Sequence, residues 1–324
     1  MEKHLEAICI GMAVTDVLVG GVTAIPRHGA TSTVRDISIC TGGDAVNEAI
    51  TLAKLGHSVG LMALVGNDLQ GEFVVRECEK NGVDVSTVAR TSKHPTATSI
   101  VLINECGERS FLSQPGTAMD EFSLDHVDLQ QIKPGLKVLS VGSLFCGKNM
   151  HSEPLRKILE KAKAVGAITV ADFVSTPETG GLESIRQVLE VLDFAVPSKD
   201  EAFLYTGTEV LDQIAEEFFR FGVKNVVVKL GGEGIFVHTQ ADHFRLGPYP
   251  AIAVDTTGAG DSFVAGFVSG LLREESLLEC AKFGAATASI AIQFVGATTG
   301  VRNIEQVKDV VRRHQITVYQ GMTK

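Results

Sequence analysis

The chain has 324 residues, of which 44% are hydrophobic and 21% are charged, and its formal net charge is −10. This composition excludes a disordered or collagenous chain, and without an unbroken run of about 20 apolar residues we expect no membrane span. The acidic balance argues against nucleic acid and membranes as partners, although it does not exclude a local pocket for a small anion.

Short apolar runs alternate along the chain with amphipathic stretches of helical length. The apolar runs predict buried strands over Ala7–Gly11, Ser58–Val65, Thr98–Asn104, Lys137–Val141, Ile168–Asp172, Asp193–Pro197 and Asn225–Leu230. The amphipathic stretches predict helices over Asp44–Leu55, Leu69–Asn81, Ser152–Val165 and Glu209–Phe221. This alternation is typical of an α/β fold with a doubly wound, mostly parallel sheet flanked by helices. No linker divides the chain, so we expect a single domain over residues 1–324.

Two segments interrupt this alternation and predict a small separate β-sheet. Asp16–Thr41 is rich in Thr, Val and Gly and has little helical pattern. Thr96–Ile103 is followed by the turn Glu105–Glu108 and by Arg109–Phe111, which is typical of a hairpin. We expect the two segments, about residues 14–41 and 95–113, to form a lid over the ends of the parallel strands. In the C-terminal third, Gly258–Gly270 and Leu277–Phe294 predict closely packed helices.

The N-terminal residues and the cysteines indicate a cytoplasmic protein. The start of the chain lacks a basic segment followed by an apolar core, so we expect no signal peptide. The six cysteines, at positions 9, 40, 78, 106, 146 and 280, have no CxxC spacing. This pattern favours free thiols in a reducing compartment over a zinc site or a redox pair.

The most informative segment contains Gly258, Ala259 and Gly260 directly before an apolar helix pattern. Their backbone N–H groups would lie at the positive end of that helix, which is a site for anions. Asp261 follows, and a carboxylate there would repel a phosphate unless it takes the proton of an attacking hydroxyl. The alternative is that Asp261 is only a helix N-cap.

The segment Asp255–Phe263, which reads Asp-Thr-Thr-Gly-Ala-Gly-Asp-Ser-Phe, resembles the C-terminal signature of the ribokinase-like (PfkB-type) carbohydrate kinases. Gly42–Ala49 is similar to the Gly-Gly-x-x-x-Asn motif of the same family. The two motifs stand in the family's order, and the resemblance extends from Ile8 to about Val311. It implies a ribokinase-like fold with a β-sheet lid and the ATP-dependent phosphorylation of a sugar.

The resemblance also implies a role for each matching residue. Asp261 would be the catalytic base, and the N–H groups of Gly258, Ala259 and Gly260 would form an anion hole for the transferring phosphoryl group. The positions that match sugar-binding residues are Asp16, Gly42, Gly43 and Asn47. The positions that match the family's loop along ATP are Lys229, Gly231, Gly232 and Gly234. Lys229 departs from the threonine often found in that loop.

Two cation sites are implied in the same way. Glu201 matches the glutamate of a motif associated with Mg²⁺ and would act through water, while Ser198 replaces the asparagine of that motif. A monovalent cation, expected to be K⁺, would be held by oxygen atoms of Asp255, Thr257, Ala291, Phe294 and Gly296. Gly300 stands where the family often has a serine that contributes to this site.

The substrate charge can be predicted from Asp44, the third residue of the Gly-Gly motif. Sugar-phosphate kinases of the family commonly have a lysine there, and an acidic group would repel a phosphate. We therefore expect an unphosphorylated monosaccharide or sugar acid. Arg35 and Arg109 are the basic lid residues that could reach the sugar, where they would bind a carboxylate or lie on the lid surface. Residues 142–149 fit G-x4-G-K, but Asn149 follows the lysine, so we expect no phosphate loop there.

Two other functions remain open. A nucleoside kinase shares the fold and would usually offer aromatic lid residues for stacking, but Asp16–Thr41 has no Phe, Tyr or Trp. A non-catalytic sugar- or nucleotide-binding regulator would be expected to lose the base, whereas Asp261 is present. A Rossmann dehydrogenase is disfavoured because the first predicted strand has no G-x-G-x-x-G turn. We also expect a homodimer formed through the lid.

Overall fold

Strands and helices alternate through most of the structure, a computed structural model that describes residues 4–106, 109–144, 149–174 and 180–321. Its strands are β1 (Ala7–Gly11), β2 (Val14–Gly20), β3 (Asp36–Gly42), β4 (Val59–Met62), β5 (Leu64–Gly66), β6 (Ala89–Thr91), β7 (Ala97–Ile103), β8 (Arg109–Ser113), β9 (Val138–Leu144), β10 (Ile168–Phe173), β11 (Phe194–Val196), β12 (Asn225–Lys229), β13 (Ile235–Thr239), β14 (His243–Leu246) and β15 (Val318–Gln320). Its α-helices are α1 (Asp44–Lys54), α2 (Leu69–Lys80), α3 (Ala118–Glu121), α4 (Ser152–Ala164), α5 (Gly181–Ser184), α6 (Arg186–Leu189), α7 (Lys199–Thr206), α8 (Leu211–Arg220), α9 (Ala259–Leu272), α10 (Leu277–Ala291) and α11 (Ile304–Arg313).

The main sheet has the strand order β15-β14-β13-β12-β11-β10-β9-β1-β4. Neighbouring strands are parallel from β12 to β4 and antiparallel from β12 to β15. Alternate residues of β1 enter different cores: Ala7 and Cys9 belong to one buried cluster, and Ile8 and Ile10 belong to the other. Both faces of the sheet are therefore covered, which explains the continuous apolar runs and confirms the predicted fold class.

The lid is a separate four-stranded sheet with the order β3-β2-β7-β8. The predicted hairpin is present, because β7 and β8 are antiparallel and Ile103 pairs with Arg109. The strand register divides the lid side chains between two faces. We call the face that carries Asp16 and Arg109 the inner face. The outer face is formed by Val17, Val19, Ile37, Ile39, Ile100 and Leu112.

Some predicted elements differ from the structure at their boundaries. The run Ser58–Val65 forms two strands, because β4 pairs with β1 in the main sheet whereas β5 pairs with β6 in a two-stranded sheet. Every residue of both strands is buried, so no polar residue marked the change of sheet. Helix α10 ends at Ala291 instead of Phe294, before a turn in which Gly296 has a φ of 93°. Cys146, the tip of the predicted hairpin turn (107–108) and the middle of the G-x4-G-K segment (145–148) lie outside the described residues.

None of the helices in the described part of the chain combines the length and the apolar character that crossing a bilayer requires.

Candidate active site

The candidate active site lies where the carboxyl ends of β10 and β12 meet the first turns of α1 and α9. Asp172 is near the end of β10, and Lys229 is the last residue of β12. Asn47 and Asp261 lie near the start of α1 and α9. Parallel strands bring their carboxyl ends to one edge of a sheet, which is where such folds bind ligands. The sheet order therefore joins residues that are far apart in the sequence.

Helix α9 begins as the glycine-rich segment predicts. Gly258 is its N-cap and has a φ of 68°, a left-handed conformation that glycine adopts without strain. A side chain at Gly258 would also collide with Ala297. The N–H groups of Gly258, Ala259 and Gly260 stand at the positive end of the helix, although the Ala259 N–H donates to the carbonyl of Thr256 at 3.2 Å. The local geometry is that of an anion site.

Asp261 is buried, with 8% of its surface exposed, and its Oδ2 accepts a hydrogen bond from Asn47 Nδ2 at 2.7 Å. This bond joins the two family-like motifs. Burial and the nearby Asp172 carboxylate raise the pKa of Asp261 to about 6, while Asn47 and Lys229 oppose the rise. Asp261 is therefore ionised at neutral pH and yet a stronger base than an ordinary aspartate. The cap of α9 is Gly258, so Asp261 does not serve as its N-cap.

Lys229 lies beside the predicted anion hole. Its Nζ forms an ion pair with Asp172 Oδ1, and the two side chains are only 12% and 3% exposed. A Cβ atom at Gly260 would lie 3.1 Å from this Nζ, so the ammonium group stands against the first turn of α9. Burial alone would lower the pKa of Lys229, but the carboxylates of Asp172 and Glu201 raise it overall. A fixed positive charge therefore lies next to the base.

The glycine-rich turn after Lys229 has an exposed part and a buried part. Gly231 and Gly232 are exposed, and a Cβ at either one would meet no atom of the described residues within 4 Å. Gly234 is buried, and the carbonyl of Leu246 fills the space that its side chain would need. Of the predicted ATP-loop glycines, the first two are open to a ligand and the third is required by the packing of β13 against β14.

Two more acidic residues lie close to the base. Glu48 was not predicted as a member of the site, and Asp44 was predicted only as a charge near the substrate. Glu48 is fully buried and accepts a hydrogen bond from Ser140 Oγ at 2.6 Å. Burial, followed by Asp172, raises its pKa well above the ordinary value. Burial and Asp261 likewise raise the pKa of Asp44. These carboxyl groups outnumber the positive charge that Lys229 alone supplies.

The four predicted sugar-binding residues lie together at the junction between the lid and α1. Burial and the Asp261 carboxylate raise the pKa of Asp16 to about 6, so these two acids are close enough to interact electrostatically. Gly42 has no room for a side chain, because the Asp16 carboxylate packs against its Cα, and Gly43 has a φ of 89°. Asn47 Oδ1 is buried and has no hydrogen-bond partner among the described residues. Asn47 thus offers a free acceptor within the site.

The two lid arginines differ in position. The Arg109 guanidinium forms an ion pair with Asp255 Oδ1, and only 14% of its side chain is exposed. Its positive charge also opposes the rise in the pKa of Asp16. Arg35 instead bonds to Asp36 at 2.7 Å with 64% of its side chain exposed. Of the two, Arg109 is therefore at the site and Arg35 is on the lid surface.

The predicted ligands of a monovalent cation lie in one loop region. Asp255 Oδ2 accepts the Gly296 N–H at 2.8 Å, and Asp255 Oδ1 accepts the Thr257 N–H at 2.7 Å. The Phe294 N–H donates to the carbonyl of Ala291 at 3.1 Å. The Asp255 carboxylate thus ties the start of α9 to the turn after α10. The Arg109 guanidinium forms an ion pair with the same carboxylate.

Gly300 and Ser198 depart from the family-like pattern, and the structure gives each of them definite surroundings. A Cβ at Gly300 would come within 2.8 Å of Phe294 and 2.9 Å of the Ile290 carbonyl, so a serine does not fit without a shift. Ser198 is the N-cap of α7: its Oγ accepts the Glu201 N–H at 3.3 Å, and its own N–H donates to Glu201 at 2.7 Å. Burial raises the pKa of Glu201.

Sequence and structure comparisons relate the chain to known proteins. A family model described as "pfkB family carbohydrate kinase" matches residues 5–304. The chain is 26% identical to the 5-dehydro-2-deoxygluconokinase of Geobacillus kaustophilus over 327 residues, which cover 97% of this chain and 96% of that protein. It is 27% identical to the bifunctional ribokinase/ribose-5-phosphate isomerase A of Fructilactobacillus sanfranciscensis over 282 residues, or 85% of this chain and 50% of that protein. The chain therefore spans about half the length of that relative.

A solved structure confirms the fold class. The structure of Arabidopsis thaliana ribokinase complexed with ribose and ATP matches with a TM-score of 0.83 and 24% sequence identity, covering 95% of this chain and 99% of that one. The likeness includes the large, mostly parallel sheet and the small separate sheet.

Proposed function

The chain belongs to the pfkB family of carbohydrate kinases, and on this premise we propose that it transfers the γ-phosphoryl group of ATP to a hydroxyl of an unphosphorylated monosaccharide or sugar acid. The observation that carries this proposal is the Asn47–Asp261 hydrogen bond, which places a basic carboxylate at the N-terminus of α9. A non-catalytic regulator would have no need of a buried aspartate whose pKa is raised to about 6.

The proposed reaction is an in-line displacement. The substrate hydroxyl gives its proton to Asp261, its oxygen bonds to the γ-phosphorus, and the bond to the bridging oxygen breaks to release ADP. The N–H groups of Gly258 and Gly260 and the Lys229 ammonium stabilise the charge on the transferring group. The lid covers the site and excludes water, which would otherwise accept the phosphoryl group.

The nucleotide would lie along the exposed turn at Gly231 and Gly232, next to the end of β12. Glu201 and Asp172 are oxygen donors in this region and suit Mg²⁺, which keeps several waters and takes few protein ligands. Mg²⁺ bound with ATP would supply positive charge to the phosphates. The protein's own contribution is to hold these two carboxylates in place, through the Ser198 cap for Glu201 and through Lys229 for Asp172.

The charges of the site support an unphosphorylated substrate. The Asp261 carboxylate raises the pKa of both Asp16 and Asp44, so all three acids lie near the site and a second phosphate beside them would be repelled. Arg109 offers one cation on the inner face of the lid, which suits the single carboxylate of a sugar acid. The 5-dehydro-2-deoxygluconokinase relative is named for such an acid.

A substrate comparison tests this proposal. We expect kcat/KM for ribose, fructose or 5-dehydro-2-deoxygluconate to be well above that for fructose 1-phosphate, fructose 6-phosphate or tagatose 6-phosphate. The assay should follow ADP release with Mg²⁺ and ATP at a fixed pH. A clear preference for a sugar phosphate would contradict the proposed role of the acidic cluster.

Adenosine belongs in the same comparison, because one residue favours a nucleoside kinase as the second candidate function. Phe111 lies on the inner face of the lid in β8 and is 60% exposed, so an aromatic ring is available for stacking. If kcat/KM for adenosine is higher than for every sugar tested, the substrate is a nucleoside and not a sugar. The proposed role of Asp261 as the base would be unaffected.

We further propose that K⁺ binds near Asp255, through the oxygens of the loop that contains Ala291, Phe294 and Gly296. The hydrogen bonds of Asp255 to this loop and to the start of α9 are the support, because a cation there would order the anion hole. Arg109 competes for the same carboxylate. Equal rates in K⁺ and in tetramethylammonium at constant ionic strength would refute the proposal.

The outer face of the lid supports the predicted homodimer. Ile37 and Ile39 in β3 are 66% and 59% exposed, and Leu112 in β8 is 54% exposed. These side chains lie on one face of one sheet, and an exposed apolar patch of this kind commonly marks a protein interface. We propose that a second copy of the chain covers this face about a twofold axis.

A further inference from the structure

Two histidines and an aspartate form a cluster in the antiparallel part of the main sheet, between β13, β14 and α8. His238 and His243 are a cross-strand pair of β13 and β14, and their rings are stacked with centroids 5.0 Å apart. Asp212, in the first turn of α8, brings its Oδ1 to 3.9 Å from His238 Nε2. One potential ligand atom from each of the three residues lies within 4.8 Å of the other two.

The polar atoms of this cluster lack the partners that buried groups normally have. Asp212 Oδ1 and His243 Nε2 are both buried and have no hydrogen-bond partner among the described residues. Leaving such atoms unpaired is costly, so each of them calls for a partner that the protein itself does not supply. An unpaired carboxylate oxygen and an unpaired imidazole nitrogen next to a third nitrogen form an arrangement that a bound cation would satisfy.

The third potential ligand atom, His238 Nε2, is also available to a metal ion. His238 Nδ1 is 2.6 Å from the carbonyl of Thr239, which can only accept, so Nδ1 carries the proton. A metal ion binds the neutral form of the ring, whose lone pair is then on Nε2, the atom that faces Asp212. Metal-binding histidines almost always donate their other ring N–H in this way. The Phe219 ring packs edge-on against His238 at 5.1 Å and limits its movement.

The cluster is separate from the kinase site. Lys229 pairs with Ile235 and Val226 pairs with His238, so His238 lies three residues, or roughly 10 Å, along β12 from the active-site end. We propose that Asp212, His238 and His243 bind a divalent transition-metal ion of the Zn²⁺ type. Two imidazole nitrogens and one carboxylate oxygen suit this class of ion, with water as the fourth ligand of a tetrahedral site.

Binding would require the side chains to move closer together. Ligand atoms bonded to one Zn²⁺ ion are about 3.3 Å apart, given bonds of roughly 2.0 Å. The 3.9 Å between His238 Nε2 and Asp212 Oδ1 therefore has to shorten, and the other separations, which are at most 4.8 Å, have to shorten to the same value. The side chains of His238 and Asp212 are 18% and 23% exposed, which leaves an entry path for the ion. The ion would link α8 to the β13–β14 hairpin and stabilise their packing, because it binds the folded chain more tightly than the unfolded one.

Equilibrium dialysis with ZnCl₂ alone tests the proposal on the full chain, after treatment with a chelator and in the presence of excess Mg²⁺ to fill the kinase site. We expect one Zn²⁺ per chain and a rise in Tm on addition of Zn²⁺. His238→Gln, His243→Gln and Asp212→Asn should each weaken this binding at least about tenfold. The matched control is His151→Gln, which removes an exposed histidine at the start of α4 and should bind Zn²⁺ as the unmodified protein does.

Zn²⁺ that binds equally well to the three cluster variants is bound elsewhere, and this result would overturn the proposal. The absence of stoichiometric binding by the unmodified protein would do the same. Co²⁺ provides a measurement that needs no variant: a four-coordinate site gives strong visible absorption, and the addition of Zn²⁺ should remove it. Weak absorption typical of six-coordinate Co²⁺ would contradict the tetrahedral site.

Discussion

The charged residues around the base and those on the inner face of the lid belong to different parts of the fold. Around the base, Asn47 donates a hydrogen bond to Asp261, and Lys229 forms an ion pair with Asp172. These side chains are little exposed, and they belong to helices and strands of the main body. On the lid, Arg109 reaches the site from an edge strand of a separate four-stranded sheet. We therefore expect the main body to hold the groups for the chemistry and the lid to contribute to discrimination among substrates.

The largest expected effect tests the core side of this comparison. Asp261→Asn keeps the shape of the side chain but cannot accept the proton of the hydroxyl, so turnover should fall on the order of 10²–10⁴-fold. Single-turnover kinetics with saturating ATP should locate the loss in the chemical step. ATP binding and Tm serve as controls, and near-normal turnover with chemistry rate-limiting would remove Asp261 from the mechanism.

Lys229→Met separates a catalytic charge from a structural ion pair. Loss of the ammonium next to the anion hole should lower kcat about 10²-fold. It also leaves the buried Asp172 unpaired, which should destabilise the fold by about 3–5 kcal/mol in urea unfolding. The double variant Lys229→Met/Asp172→Asn should recover stability but not the rate. Lys224→Met, which removes a 62% exposed lysine just before the same strand, is the control. Recovery of both properties together would make the pair purely structural.

Arg109→Met tests the lid side. If Arg109 selects a carboxylate, kcat/KM for a sugar acid should fall roughly tenfold while that for a neutral sugar changes little. Arg35→Met removes the exposed lid arginine and should leave both values unchanged. An equal fall for acidic and neutral sugars would show that Arg109 acts through Asp255 on the anion hole and not on the substrate.

Asn47→Ala should change the pH dependence. The hydrogen bond from Asn47 lowers the pKa of Asp261, so its loss raises this pKa above about 6. Because the base must be ionised to act, the acidic limb of the kcat/KM profile should move to higher pH, by roughly one unit. Thr51→Ala, a buried residue of the same helix, is the control. An unmoved limb would mean that another group governs it.

Ile39→Asp should have the smallest effect on catalysis. A charge on the outer face of the lid should prevent association, so light scattering should report a monomer where the unmodified protein forms a dimer. We expect kcat to change little, because the outer face lies across the sheet from Asp16. An unmodified protein that is monomeric at assay concentration would refute the proposed dimer.

The sequence predicted the parts of the site that belong to local motifs and missed those that depend on tertiary placement. Asp261 and Asn47 lie in short signatures, and the structure joins them by a hydrogen bond. Asp172 is merely an acid near the end of an apolar strand until the sheet order places it beside Lys229. Glu48 could have been noticed, since it interrupts the buried side of α1.

The lid and the strand boundaries show the same limit. Arg35 and Arg109 are both arginines of the lid segments, and the sequence does not show that one side chain is 64% exposed whereas the other is 14% exposed and pairs with Asp255. The fold class was predictable because the apolar runs reflect burial on both faces of the sheet. The split of Ser58–Val65 between two sheets was not, because every residue of β4 and β5 is buried.

The buried carboxyls also determine how the whole protein titrates. Asp16 and Asp261 have pKa values of about 6, and those of Asp44 and Glu48 are raised as well. At pH 5.4, the isoelectric point calculated from the sequence, Asp16 and Asp261 still hold protons that the unfolded chain has released. The pKa of Glu201 is raised as well, whereas His57 and carboxyls such as Asp68 and Asp193 have lowered pKa values and act in the opposite sense.

The carboxyls with raised pKa values therefore take up protons when the chain folds in this pH range, and this contribution raises the isoelectric point of the folded protein. A carboxyl whose pKa is raised by folding stabilises the folded state only while it is protonated. The stability that these groups contribute is complete below the ordinary aspartate value of 3.8 and is lost as the pH rises through about 6. The pH that ionises the base for reaction is thus a pH at which the site works against the stability of the fold.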